Sequence, residues 1–187
     1  RWRKFLINRS NRMKKNKYKG ELHYNFGSIY KTKHDKNGIK HTVALIDLMQ
    51  DEKDQFFQNF VIVAPISDNI DFAADDDLII QGIENDGLLP YDITIHAGML
   101  TTIAKNDLTD YYCHLPEKYE KMLKDLLLLL KGDYSVDINK LKIGKPIHEP
   151  DDYRIEYRRS VVKDLQYFSI PAFLSISNYI NAATYGE

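Results

Sequence analysis

From Pro116 to Gly132 the apolar residues Tyr119, Met122, Leu123, Leu126, Leu127 and Leu130 recur at helical spacing. A helix with one such stripe must lay it against another element. Gly132 follows the last apolar position and suits the left-handed residue on which helices commonly end. The surface for this helix has to come from upstream, where the chain reads as a run of short β patterns. Leu22, Tyr24 and Phe26 alternate with polar neighbours and predict a half-buried strand over Gly20–Phe26 that stops at Gly27-Ser28. Val43–Leu48 and Phe60–Ala64 read as buried strands, the second directed to an edge or an end by Pro65. Leu78–Ile80, Asp92–His96 and Met99–Ala104 add shorter β elements, with Gly87 and Pro90 punctuating the connection. Ile29–Lys40 reads as a basic, mobile loop with a turn at Asn37-Gly38.

Several short strands followed by one long helix predict an α+β fold, a small and strongly bent antiparallel sheet or barrel with helical extensions. Trp2–Met13 has the spacing of a short basic amphipathic helix. After Gly132 a stretch punctuated by Gly144, Pro146 and Pro150 leads to a second apolar helix over Val161–Tyr179, kinked or broken near Pro171. At 187 residues the chain accommodates one domain and extensions. The expected division is a basic leader helix or arm at 1–19, the domain at 20–132, and a partly helical C-terminal extension at 133–187.

Charge is divided along the chain. Thirteen of the 26 Lys and Arg fall between Arg1 and Lys40, opposed there only by Glu21 and Asp35, so this stretch carries +11 and the remainder −12. Such a block attracts phosphate backbones, anionic headgroups or an acidic protein, and composition does not choose among them. Cys113 is the only cysteine, which excludes an internal disulfide and fits a reducing, cytoplasmic setting. The run Leu126–Leu130 is far shorter than the roughly 18 apolar residues a bilayer span needs, so no membrane association is expected. His23, His34 and His41 lack metal-site spacing, and Gly82, Gly87 and Gly98 form no phosphate-cradling loop, so neither metal nor cofactor is expected.

Three segments, taken together and in order, resemble the MazF/PemK family of toxin-antitoxin ribonucleases. Lys19-Gly20-Glu21-Leu22-His23-Tyr24-Asn25-Phe26-Gly27-Ser28 is similar to the family's opening strand. Val61-Ile62-Val63-Ala64-Pro65-Ile66-Ser67 is similar to its apolar strand ending in Ala/Pro-Ile/Leu-Thr/Ser. Gly87-Leu88-Leu89 through Thr101-Thr102-Ile103, then Leu108 and the leucine-rich helix, matches its Gly-Leu turn, strand and long helix. The resemblance spans about 17–131. One departure stands out: Lys40-His41-Thr42 occupies the place of the family's Arg-Pro, whose Arg is catalytic.

The resemblance implies an SH3-like barrel fold, a homodimer, an antitoxin partner, and metal-independent cleavage of single-stranded RNA through attack of the ribose 2′-hydroxyl on the adjacent phosphorus. That reaction calls for a base, a donor to the charged phosphate, and an acid for the leaving oxygen. The catalytic candidates are His41, Ser67 and Lys40, with His41 able to exchange protons near neutral pH and Lys40 standing in for the Arg without its bidentate fork. Tyr30, for base stacking, and Lys31, Lys33 and Lys36 are the expected RNA-binding residues. The alternative is a non-catalytic nucleic-acid- or protein-binding module on the same fold.

Overall fold

The computed structural model describes residues 24–49, 54–82 and 91–185. The expected leader helix and Gly20–His23 lie outside this range. Within it, seven strands form one antiparallel sheet: β1 (Ser28–His34), β2 (Lys40–Leu48), β3 (Phe60–Ser67), β4 (Leu78–Ile80), β5 (Ile93–Ile95), β6 (Thr101–Ala104) and β7 (Leu108–His114). The order is β4-β5-β3-β2-β1-β7, with β6 also paired to β3. The sheet is not closed, so the expected barrel is corrected to an open sheet whose described end strands are β4 and β7.

Helices cover both faces. Helix α1 (Glu117–Leu130) buries Tyr119, Leu123, Leu126 and Leu127 against Ile29, Ala44, Ala64, Leu78 and Ile95. On the other side Leu165 and Phe168 of α2 (Tyr153–Tyr185) pack on Tyr30, Val43, Leu45, Val61, Val63 and Ile103. Burial on both faces explains why β2 and β3 read as continuous apolar runs rather than alternating ones. Among the described residues no helix is long and apolar enough to cross a membrane.

Helix α1 matches its sequence pattern to within a residue or two. Its end is a Schellman motif, with Gly132 N–H donating to Leu129 and Asp133 N–H to Leu128, and Gly132 at φ +94°. Helix α2 departs from expectation, starting at Tyr153 and running through Pro171 to Tyr185. A proline inside a helix removes one backbone bond; here Phe168 and Ala172, buried beside it, hold the helix to the sheet.

The first turn of α2 is fixed by Arg154, whose Nη1 donates to the carbonyls of Ala73 (3.1 Å) and Lys145 (2.6 Å) and Nη2 to that of Pro146 (3.0 Å). Nε also donates to both oxygens of Asp152, 2.9 and 3.0 Å away. These bonds hold the Asp152 carboxyl at about 2, below its ordinary range. A carboxylate whose pKa is depressed by folding contributes stability above its unfolded value, about 3.9, and loses it as pH falls through the folded one. Urea titrations at pH 5 and near pH 2 should therefore show a smaller acid-induced loss for Asp152→Asn than for the wild type. An identical loss would remove Asp152 from the account of acid sensitivity.

Two strand expectations need correction. Tyr24–Phe26 is not strand, and the first half of the expected loop is β1. Lysines alternating with Ile29, Tyr30 and Thr32 conceal a strand in a charged segment; only Asp35–Ile39 turns, at the expected Asn37-Gly38. Strand β3 also continues through Pro65. The Pro65 carbonyl accepts from His96 N–H, so its nitrogen faces the same edge, in the gap between the residues paired to β6 (Phe60–Val63) and to β5 (Ile66–Ser67). No ladder bond is missed there.

Candidate functional site

The antiparallel register Thr42↔Ile66, Val43↔Pro65, continued one step, sets His41 opposite Ser67. Side chains alternate along a strand, so both share the α2 face with Val43. Directly opposed residues on antiparallel strands have Cβ atoms about 5 Å apart. Two of the three expected catalytic residues thus lie on one face, at neighbouring ends of β2 and β3.

His41 Nε2 lies 3.0 Å from Asp35 Oδ2, and its backbone N–H donates to Thr32 Oγ1 at 2.9 Å. Phe168 of α2 sits edge-on to its ring, centroids 6.3 Å apart. Asp35 Oδ1 accepts from the N–H groups of Asn37 and Ile39, so one carboxylate both builds the turn and orients the imidazole. Burial pushes the Asp35 carboxyl up, but the Ile39, His41 and Asn37 hydrogen bonds outweigh it and hold it below its usual range.

On the other side of Ser67 stands His96, which sequence spacing did not single out. His96 follows β5, and its Nε2 lies 3.1 Å from Ser67 Oγ. Its Nδ1 is 3.1 Å from Asp77 Oδ2, an ion-pair distance without hydrogen-bond alignment. The side chains of His96 and Asp77 are fully buried. Ser67, His96 and Asp77 therefore stand in the order hydroxyl, imidazole, carboxylate, with a hydrogen-bond distance between the first two and an electrostatic contact between the last two. Burial raises the pKa of the Tyr157 hydroxyl of α2, and its proximity to Ser67 draws it partly back; its ring stands 6.1 Å from that of His96.

Arg158 closes the cluster from α2, with Nη1 2.6 Å from Asp77 Oδ2 and Nη2 2.6 Å from Asp76 Oδ2. Asp77 Oδ2 also accepts from Ala74 N–H at 2.9 Å. Asp76 Oδ1, Asp77 Oδ1 and His96 Nδ1 are buried without hydrogen-bond partners. Burial, then the neighbouring Asp77 charge, raises the Asp76 carboxyl despite Arg158. Gly98 is required beside it, because a Cβ there would lie 1.7 Å from Asp76 Oδ2. Gly98→Ala must displace a carboxylate held by Arg158, and we expect a loss of about 1–3 kcal/mol, typical of overpacking. Chemical denaturation of the variant measures it, and an unchanged midpoint would mean that Asp76 moves aside freely.

The remaining expected residues lie elsewhere. Lys40 and Lys31 extend over the α1 face: Lys40 Nζ pairs with Asp110 Oδ2 at 2.6 Å, and Lys31 Nζ donates to Thr42 Oγ1 at 2.7 Å beneath the Tyr112 ring. Adjacency to His41 in sequence is what places Lys40 on the opposite face, so its expected place beside Ser67 is corrected. Burial lowers the Lys31 ammonium pKa. Lys33 pairs with Asp107 at 3.4 Å, and Lys36 is exposed on the turn. Tyr30 is 0 % exposed, packed between Tyr24 and Tyr111, and burial pushes its hydroxyl up to about 12. It belongs to the core and presents no face to a base. Cys113 is likewise pushed up to about 11 by burial. Among the described residues no group of three or more His, Cys, Asp or Glu is arranged to hold a metal ion.

The architecture is an open seven-stranded antiparallel sheet between two helices, with a serine flanked by two histidines, each beside a buried aspartate. No family model matches the chain, and no curated protein does. Among solved structures it is similar to one described as "Endoribonuclease in complex with its cognate antitoxin from Mycobacterial species". That likeness has a TM-score of 0.43 and 12% identity, and covers 58% of this chain and 94% of the other.

Proposed function

We propose that this chain is a MazF/PemK-like endoribonuclease that cleaves single-stranded RNA without metal. The observation that carries the reading is the β2/β3 register, which brings His41 and Ser67, expected from sequence to act together, onto one face. The 2′-oxygen attacks phosphorus and forms the cyclic ester while the P–O5′ bond breaks. His41, its Nε2 on Asp35, offers Nδ1 to take the 2′-hydroxyl proton. Ser67 passes its hydroxyl proton to the departing 5′-oxygen, and His96 behind it replaces that proton from Nε2–H. Lys40 has no part in this scheme. An antitoxin partner and a homodimer remain what the resemblance implies, and a cytoplasmic setting what the single cysteine fits.

The test is incubation of purified protein with RNA in EDTA, with analysis of the new ends. The expected products carry 2′,3′-cyclic phosphate and 5′-hydroxyl groups, and a His41→Ala, Ser67→Ala double variant loses the activity. RNA left intact by both the wild type and an Arg158→Gln variant would sink the assignment, as would cleavage that the double variant preserves. Tyr157, close to Ser67 and His96 on the covering helix, favours a second reading, a non-catalytic binding module. On that reading RNA is retained uncut, with affinity falling steeply as salt rises.

A further inference from the structure

Three groups of the proposed site are each met by a side chain of α2, and these contacts fall along one side of the helix. Tyr157 stands by the Ser67–His96 pair, its ring 6.1 Å from that of His96, Arg158 bridges Asp76 and Asp77, and Phe168 stands against His41. Arg154, Tyr157 or Arg158, Leu165, Phe168 and Ala172 follow the three- and four-residue steps of a single helical face. The same face that seals the apolar cluster over Val43 and Val63 therefore also occupies the polar groups at its end.

We propose that α2 is a tethered cover of the Ser67–His41 face, which single-stranded RNA can reach only after α2 leaves the sheet between its first turn and Phe168. This rests on the ribonuclease reading for the identity of what is excluded, and on geometry alone for the covering. A phosphate seated on Ser67 needs the place that the Tyr157 hydroxyl takes. A ribose approaching His41 meets the Phe168 ring.

The closed arrangement also carries its own opposition. Asp76 and Asp77 set two carboxylates against the single Arg158 guanidinium while α2 is docked, and water would solvate both more fully once it lifts. Arg158 is the one group of α2 that offsets the two carboxylates, so it acts as the latch. Arg154, bound to three carbonyls and to Asp152, keeps the first turn attached, which makes the opening a hinged movement of one chain.

Thiol labelling reads the cover without reference to RNA. In a Ser67→Cys, Cys113→Ala background, labelling of the introduced thiol should accelerate at least tenfold when Arg158→Gln and Asp76→Asn are added together, a pair that keeps the local charge balanced. With Ser67 intact, the same double substitution should speed RNA cleavage by a similar factor. Accelerated labelling with RNA still intact would uphold the cover and overturn the ribonuclease reading. Labelling unchanged in the folded double variant would overturn the cover. Native-state hydrogen exchange on the unaltered protein gives a second measure: amides of α2 from Tyr157 to Phe168 should exchange at least tenfold faster than those of α1. Equal protection of the two helices would also overturn the proposal.

Discussion

Replacing Asp77 with Ala should lower the melting temperature by roughly 10 °C, the largest stability effect expected from a single substitution at the site. Asp77 Oδ2 is met at once by Arg158, by the Ala74 N–H and by the His96 ring, all in a fully buried position. Removing one partner of a buried ion pair costs about 3–5 kcal/mol, because the other charge stays in a medium that solvates it poorly. For a chain of this size each kcal/mol corresponds to about 2–4 °C. Asp76 remains to hold Arg158, which places the loss towards the lower end. Asp77→Asn, which keeps an acceptor for Ala74, should lose less. Melting of the Ala variant within about 2 °C of the wild type would show that Arg158 and His96 find water when Asp77 is gone, and that the cluster is less dry than its geometry implies.

The largest effect on activity should come from His96→Gln. General acid–base groups contribute about 10²–10⁴-fold to rate, and on the proposed mechanism His96 feeds the proton that leaves with the 5′-oxygen. Single-turnover cleavage should fall by at least a hundredfold, while Lys40→Ala, whose ammonium lies across the sheet with Asp110, should change the rate less than about threefold. The contrast matters more than either value, since a general loss of structure would depress both. Near wild-type cleavage by His96→Gln would assign the proton to another group and leave His96 as a buried prop for Ser67.

The parts of this fold that could be read from sequence are those whose burial lies on one side of a local element. Helix α1 announces itself because its stripe repeats every three to four residues and Gly132 marks its end. Strand β1 does not, because its only large apolar residues, Ile29 and Tyr30, are adjacent and bury on opposite faces, and Lys31 and Lys33 follow them, held by Thr42 and Asp107. Pro65 signals an end, yet β3 passes through it at the one place where neither β6 nor β5 needs its N–H. The site divides in the same way. Ser67, His41 and Lys40 were expected from the resemblance, Lys40 at the place of the family's Arg and His41 beside it. Adjacent residues on a strand face opposite ways, so Lys40 lies on the other face from His41. Asp77 and His96 carry no shared spacing with Ser67, for they meet it only through the pairing of β5 with β3 and the turn before β4. The covering role of α2 was out of reach for a related reason: its residues gain meaning only from the sheet face beneath them.

Strand β1 has a temporal consequence as well. Its ladder to β7 pairs Ser28 with His114, 86 residues further along the chain. At about 5–20 residues per second of synthesis, one edge of β1 waits roughly 4–17 s for its partner to be made. An unpaired strand edge invites association with other nascent chains, and lysines are among the residues that discourage it. Lys31 and Lys33, expected at first to line a path for RNA, stand on that edge throughout the wait, so their charge protects the unfinished sheet before the site exists at all.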